Sequence, residues 1–194
     1  MLTLYHSPQS RSTRMIWLLE EIGEPYTIKY VTIPRGDGTG GRDRANAHPE
    51  GKVPAIDHDG KLVRESGAIC LYLTDAFPKA GIGPKVGDAN RADYLFWLFN
   101  YAAELEPAMI ARMSGAGENQ MWKRLYEAST ARLTQALKAG DYSLGNKFSA
   151  ADILFSSAIQ WMRQQFPDDK AYDRYVERCV ARPAFKRAEP KDKQ

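Results

Sequence analysis

Three short stretches in the first third of this 194-residue chain place hydroxyls, a carboxylate and backbone amides where predicted elements begin. In Ser10-Arg11-Ser12-Thr13-Arg14, three hydroxyls stand at a turn into a helix. Hydroxyls there either cap the free amides of the helix or donate to an anion held at its positive end. Val53-Pro54 stands at the start of a strand. A proline in that place marks a sheet edge, or carries a cis bond that frees backbone groups for a ligand. Glu65-Ser66 opens a second helix. Its amides and dipole suit an anion, the Ser66 hydroxyl adds a donor, and Glu65 accepts from an ammonium. Together the two suit the doubly charged head group of an amino acid, with a plain N-cap as the alternative.

Other chemistries find little support. The three histidines, His6, His48 and His58, lie in the first sixty residues with no acid at suggestive spacing, and no G-x-S-x-G elbow occurs. Cys70 and Cys179 are the only cysteines, so no Cys-x-x-Cys dithiol, disulfide framework or zinc site is expected, and a reducing compartment is the simpler reading. The run Arg35-Gly36-Asp37-Gly38-Thr39-Gly40-Gly41-Arg42 lacks the Gly-Lys-Ser/Thr ending of a phosphate cradle and reads as a mobile surface loop.

The elements that must carry these groups alternate over the first eighty residues. Leu2 to Tyr5 reads as a buried strand. Met15, Leu18, Leu19 and Ile22 form one helix face, which Gly23 stops. Tyr26 to Val31 is a second strand, and Lys52–Ile56 and Lys61–Arg64 form a hairpin about Asp59-Gly60. Ile69, Leu73 and Phe77 mark a helix ending at Pro78. From residue 88 onward only helical spacing is found. Pro107 is expected to kink or break the first of these helices, and Ser149-Ala150-Ala151-Asp152 to form a capping box. The expected division is an α/β unit over 1–78, a linker over 79–88 and an all-α unit over 89–194. A net charge of +3 is too weak a bias to indicate nucleic acid or an anionic membrane. No basic segment precedes an apolar run at the start, and the most apolar stretch, Tyr94 to Ala103, is half a membrane span, so a cytoplasmic protein is expected.

On Ser10 to Glu21, Gly51 to Ala55, Glu65 to Ile69, Phe148 to Asp152 and Arg182 to Phe185, the sequence resembles the soluble glutathione transferases over essentially its full length. The resemblance implies a thioredoxin-like domain followed by an α-helical bundle, a two-fold homodimer, and glutathione as co-substrate with no metal. It implies that Pro54 is cis, that Val53 pairs with the cysteinyl part of glutathione, that Glu65 and Ser66 hold its γ-glutamyl end, and that Lys52 helps with the glycyl carboxylate. His48 stands where the family often has Asn, and Arg11 where its bacterial cysteine type has Cys. The activator of the thiol is then Ser10, with Ser12, Tyr5 or a backbone amide as alternatives. The electrophile would lie against Tyr94, Trp97, Tyr101 and Trp161, each of which could equally be core.

The chemistry the family performs needs a thiolate. A free thiol, with a pKa of about 8.5, is only roughly 3% ionised at pH 7. Lowering that pKa by about two units ionises roughly three quarters of it and corresponds to about 2.7 kcal/mol. A serine hydroxyl at the amino end of a helix does this as a hydrogen-bond donor, not as a nucleophile. Two non-catalytic readings stand beside the enzyme: an interaction module that keeps the fold, and a carrier of glutathione conjugates.

Overall fold

The computed structural model describes residues 1–192. It divides into two compact units, Met1–Ala80 together with Arg182–Gln194, and Gly81–Ala181. The first unit runs β1 (Leu2–His6), α1 (Thr13–Ile22), β2 (Tyr26–Tyr30), β3 (Ala55–His58), β4 (Lys61–Arg64) and α2 (Ser66–Ala76). Its four strands lie in the order β2-β1-β3-β4, with β1 parallel to β2 and antiparallel to β3. Alternation along β1 buries Leu2, Leu4 and His6 on one face and leaves Thr3 and Tyr5 half-buried on the other. The apolar side of α1, from Met15 to Leu19 with Ile22, is buried. Its chain leaves through Gly23, whose N–H bonds to the Leu19 carbonyl oxygen.

The β3–β4 hairpin turns on Asp59 and Gly60, both at positive φ (52° and 79°), the conformation that an Asp-Gly pair favours. β3 begins at Ala55, three residues later than the pattern suggests. Lys52, Val53 and Pro54 therefore lie ahead of the strand, and the Val53-Pro54 bond is cis.

The second unit is helical: α3 (Arg91–Asn100), α4 (Glu106–Met113), α5 (Gln120–Ala139), α6 (Ala150–Trp161) and α7 (Lys170–Val180). Pro107 does not break the chain into separate helices. A single wide π-helical turn, Tyr101–Leu105, joins α3 to α4 just ahead of Pro107, whose missing N–H interrupts the regular bonding there without ending the helix. Part of the expected linker is also structured. Ile82 is buried, and its carbonyl accepts the Ala150 N–H at the start of α6.

The expectation of one helical domain through residue 194 needs correction at its end. α8 (Pro183–Ala188) belongs with the first unit, where it packs on α1. The Trp17 ring meets Phe185 edge-on at 5.0 Å. Arg182 grips the nearly buried Glu21 with two bonds, 2.6 and 2.8 Å. Glu20 accepts from Arg187 and Lys191 at 2.8 and 2.5 Å. The Glu20-Glu21 pair of α1 thus fixes α8 and the turn that follows it. The periodicity of residues 183–188 shows a helix but not which surface it covers.

Candidate active site

The strand register explains how residues so far apart come together. Tyr5 near the end of β1 pairs with Ala55 at the start of β3, and Ala55 pairs with Arg64 at the end of β4. The turn after β1, the cis Val53-Pro54 and the Glu65-Ser66 step therefore all leave the same end of the sheet. Gln9 and Glu65 hold φ of 54° and 67°, conformations that cost free energy for residues with a side chain and that gather where a site is built.

At the first turn, Ser10 and Ser12 differ sharply. Ser12 has no exposed surface. It stands at the N-cap position of α1, but its hydroxyl does not cap the helix as the sequence suggests. The side chain points back instead, accepting the Ser7 N–H at 3.1 Å and lying 2.8 Å from His6 Nδ1 and 2.8 Å from Ser10 Oγ. Ser10 is half-buried, donates to the Ser7 carbonyl at 2.7 Å and accepts the Ser12 N–H at 3.2 Å. Of the two, Ser10 is the one with surface to meet a ligand. Tyr5 lies on the opposite sheet face from His6, its ring 5.4 Å from Lys29 Nζ. Cys70 is fully buried, and burial pushes its thiol up to about 12, so it offers no thiolate.

The tail of the chain closes the far side of this turn. Asp192 accepts from the Thr13 hydroxyl at 2.5 Å and from the Gln9 N–H at 3.4 Å. Its Oδ1 is 3.3 Å from His6 Nε2, off the line of a good hydrogen bond, so it acts on the ring mainly through charge. Burial pushes the His6 imidazole below its ordinary value, with the Asp192 charge opposing, and the ring is neutral near pH 7. The Gly-rich stretch is an exposed surface loop without regular structure, anchored at its first residue. Arg35 donates to the Pro8 carbonyl at 2.8 Å and the Ser7 hydroxyl at 3.3 Å. A side chain on Gly40 would collide with the Ile33 carbonyl oxygen.

At α2, Ser66 is buried and its Oγ accepts from Arg14 at 3.0 Å. Arg14 is itself only 2% exposed. With its oxygen engaged by the guanidinium, the Ser66 hydroxyl keeps its proton for an anion, and the Arg14 charge adds to the helix dipole. Sequence reasoning missed Arg14. The available signal was an arginine one residue before Met15, at the edge of the buried face. Beside this end lies a cavity of about 410 Å³ lined by His48, Glu50, Leu62, Val63, Arg64 and Glu65. His48 is held there by accepting the Glu50 N–H on Nδ1 at 3.1 Å. Lys52 is exposed and pairs with Glu50.

The aromatic candidates of the helical unit are mostly interior. Tyr94, Trp97 and Tyr101 are buried, the last two edge-on to Phe155 at 5.4 and 5.2 Å, while Trp161 is 42% exposed. Among the described residues, no group of three His, Cys, Asp or Glu side chains could hold a metal ion, and no helix is long and apolar enough to cross a membrane.

The four-stranded mixed sheet, with a cis Val-Pro ahead of β3, gives the first unit a thioredoxin-like fold. Comparison with known proteins narrows it. Residues 4–84 match the glutathione S-transferase N-terminal domain. The chain is 27% identical over 162 residues to GstA of Escherichia coli O157:H7, covering 81% of each protein. It is 34% identical over 107 residues to glutathione S-transferase 3 of Schizosaccharomyces pombe, an alignment that takes in 55% of this chain but only 43% of that protein's length. A sphingomonad glutathione S-transferase solved in complex with glutathione is 27% identical and superposes with a TM-score of 0.78 over 98% of both chains. Residues 4–84 thus carry a glutathione S-transferase N-terminal domain, and the chain as a whole has the glutathione transferase fold.

Proposed function

We propose that the protein binds glutathione at this end of the sheet and activates its thiol for attack on a small hydrophobic electrophile. The observation that carries the reading is the register that sends the Ser10 turn, the cis Val53-Pro54 and the Glu65-Ser66 helix end out of one sheet edge. Val53 offers its backbone to the cysteinyl residue. Glu65 takes the ammonium of the γ-glutamyl end and Ser66, backed by Arg14, takes its carboxylate. The exposed Lys52 is available to the glycyl carboxylate. The half-buried Ser10 hydroxyl donates to the sulfur. Among the aromatic candidates for the electrophile wall, Trp161 is the one with accessible surface.

Retention on immobilised glutathione, followed by turnover with a panel of electrophiles, tests the reading; retention without turnover would mark a carrier. A sharper test is Ser66→Ala. A hydrogen bond to a charged group contributes about 1.5–3 kcal/mol, so the dissociation constant for glutathione should rise roughly tenfold or more with circular dichroism unchanged. An unchanged constant removes the γ-glutamyl assignment.

Assembly follows from the same reading. Phe96 and Phe99 of α3, with Ile110 and Met113 of α4, are between 44% and 63% exposed, more apolar surface than solvated helices need. Light scattering should give about twice 21.8 kDa, and a monomer at micromolar concentration would contradict the homodimer.

A further inference from the structure

We propose that His6, aligned by Asp192, receives the thiol proton of glutathione through Ser12 and Ser10. The inference rests on the glutathione reading above and assigns the residues behind its activator. The geometry is a continuous chain: Ser10 Oγ to Ser12 Oγ is 2.8 Å, and Ser12 Oγ to His6 Nδ1 is 2.8 Å. Beyond the ring, Nε2 faces the Asp192 carboxylate at 3.3 Å. A neutral imidazole carries one N–H. The carboxylate places that hydrogen on Nε2, where a bare lone pair would be repelled, and leaves Nδ1 as an acceptor. Ser12 then donates its hydroxyl proton to Nδ1, and its oxygen is open to the Ser7 N–H and to Ser10. The Ser10 proton is shared between the Ser7 carbonyl, 2.7 Å away, and Ser12 Oγ.

A thiol arriving at Ser10 completes the path. The S–H bond breaks and its proton goes to Ser10 Oγ, the Ser10 proton passes to Ser12 Oγ, and the Ser12 proton passes to Nδ1. The products are a thiolate and an imidazolium, with no change in net charge and no redox step. Every donor now points toward sulfur: Nδ1–H to Ser12, Ser12 to Ser10, Ser10 to the thiolate. After the S–C bond forms, the proton returns along the same hydroxyls to the leaving anion or to water. Burial keeps the resting ring neutral and opposes the imidazolium, and the Asp192 charge offsets part of that cost. The other charged or titratable groups about the ring are Tyr30 of β2, edge-on at 5.4 Å, Lys191 of the tail, whose Nζ is held by Glu20, and Arg35, whose guanidinium is on the Ser7 hydroxyl. Asp192 is the carboxylate in contact with the ring, and α8 with its Glu20 and Glu21 clamps delivers it. Ser12 itself, with no exposed surface, is not a nucleophile of a hydrolase.

His6 and Asp192 are positioning residues, so the test reads protonation. In the wild type, ring ¹⁵N shifts of His6 should change from the Nε2–H tautomer to imidazolium when glutathione binds, and not when S-methylglutathione binds. The thiolate absorbance of bound glutathione should titrate about one pH unit higher in His6→Asn and in Asp192→Asn, with glutathione affinity within twofold of wild type. Asp192→Asn changes only a partly exposed carboxylate, so it reports even where His6→Asn fails to fold. A ring that stays neutral beside a thiolate, or variants that titrate like a wild type whose thiol is depressed, overturns the relay and leaves glutathione activation standing. A wild type that leaves the bound thiol at its solution pKa overturns both.

Discussion

Ser10→Ala is expected to lower turnover near neutral pH by about tenfold to a hundredfold, one to two pKa units of lost thiolate, while most glutathione affinity remains. The two effects separate if the peptide is held as proposed at Val53, Glu65 and Ser66, on strand ends that do not pass through the Ser10 turn. The variant loses a hydroxyl that donates to the Ser7 carbonyl and accepts the Ser12 N–H, at a stability cost of about 1 kcal/mol, too little to unfold the unit. Raising the pH should recover part of the turnover, since the thiol then ionises unaided. Ser10→Thr keeps the hydroxyl and should restore most of the thiolate at pH 7, a rescue that a packing defect would not show. The measurement is thiolate absorbance of the bound peptide against pH. A titration unmoved by Ser10→Ala would pass the role to a backbone amide of the turn, because Tyr5 faces the other side of the sheet. Ser12→Ala is expected to act on the same hydroxyl path. Its hydroxyl bridges His6 and Ser10 rather than capping α1, so loss of chemistry there is expected as well.

The parts of this site that a reader of the sequence can find are those encoded within a few residues. Asp59-Gly60 specifies its hairpin because both positions must hold positive φ. Met15, Leu18, Leu19 and Ile22 specify α1 by period. Pro54 and Ser66 stand out as a proline and a serine at element starts, though each also fits a plain sheet edge or N-cap. What escapes is contact made across long separation. Asp192 is 186 residues from His6, and nothing near it marks it as a partner. It reaches the ring because Glu20 and Glu21 bind Lys191, Arg187 and Arg182, charges that read as an ordinary solvated helix face. The absence of an acid at suggestive spacing from His6 was therefore true of the local sequence and misleading about the fold. Arg14 is hidden for a related reason. A charged residue beside an apolar stripe reads as its solvated edge until the start of α2 is known to sit over it. The aromatics show the converse. Tyr94, Trp97 and Tyr101 have the spacing of a core, and a core is where they are.

The largest stability loss is expected in the helical unit, at Asp152. The expected capping box is present at the start of α6, but the carboxylate does more than cap. It is wholly buried and accepts the Ser149 N–H at 2.8 Å, the Ser149 hydroxyl at 3.1 Å, the Ser143 N–H at 2.8 Å and the Tyr175 hydroxyl at 2.8 Å. One side chain therefore joins the 143–149 loop, the first turn of α6 and the middle of α7. Asp152→Ala strands these donors without water, at about 1–3 kcal/mol for the first and less for each that finds another partner, for a total of about 4 kcal/mol. That is a large share of the 5–15 kcal/mol typical of a folded domain, so the variant should unfold at markedly lower urea. Asp152→Asn keeps one acceptor oxygen but turns an amide N–H₂ toward donors, and should cost roughly half as much. The pH dependence identifies the charge. Burial raises the Asp152 carboxyl above its ordinary 3.8, against the pull of its donors. The folded chain then binds this proton at higher pH than the unfolded chain, and the penalty on the ionised form, present in full at neutral pH, fades as pH falls through the folded value toward 3.8. Asparagine has no such penalty to lose. The deficit of Asp152→Asn relative to wild type should therefore widen as pH falls from 7 toward 4, measured as the difference between their urea midpoints. A deficit that narrows over that range would mean that the four donors outweigh burial and hold the carboxylate below its ordinary value.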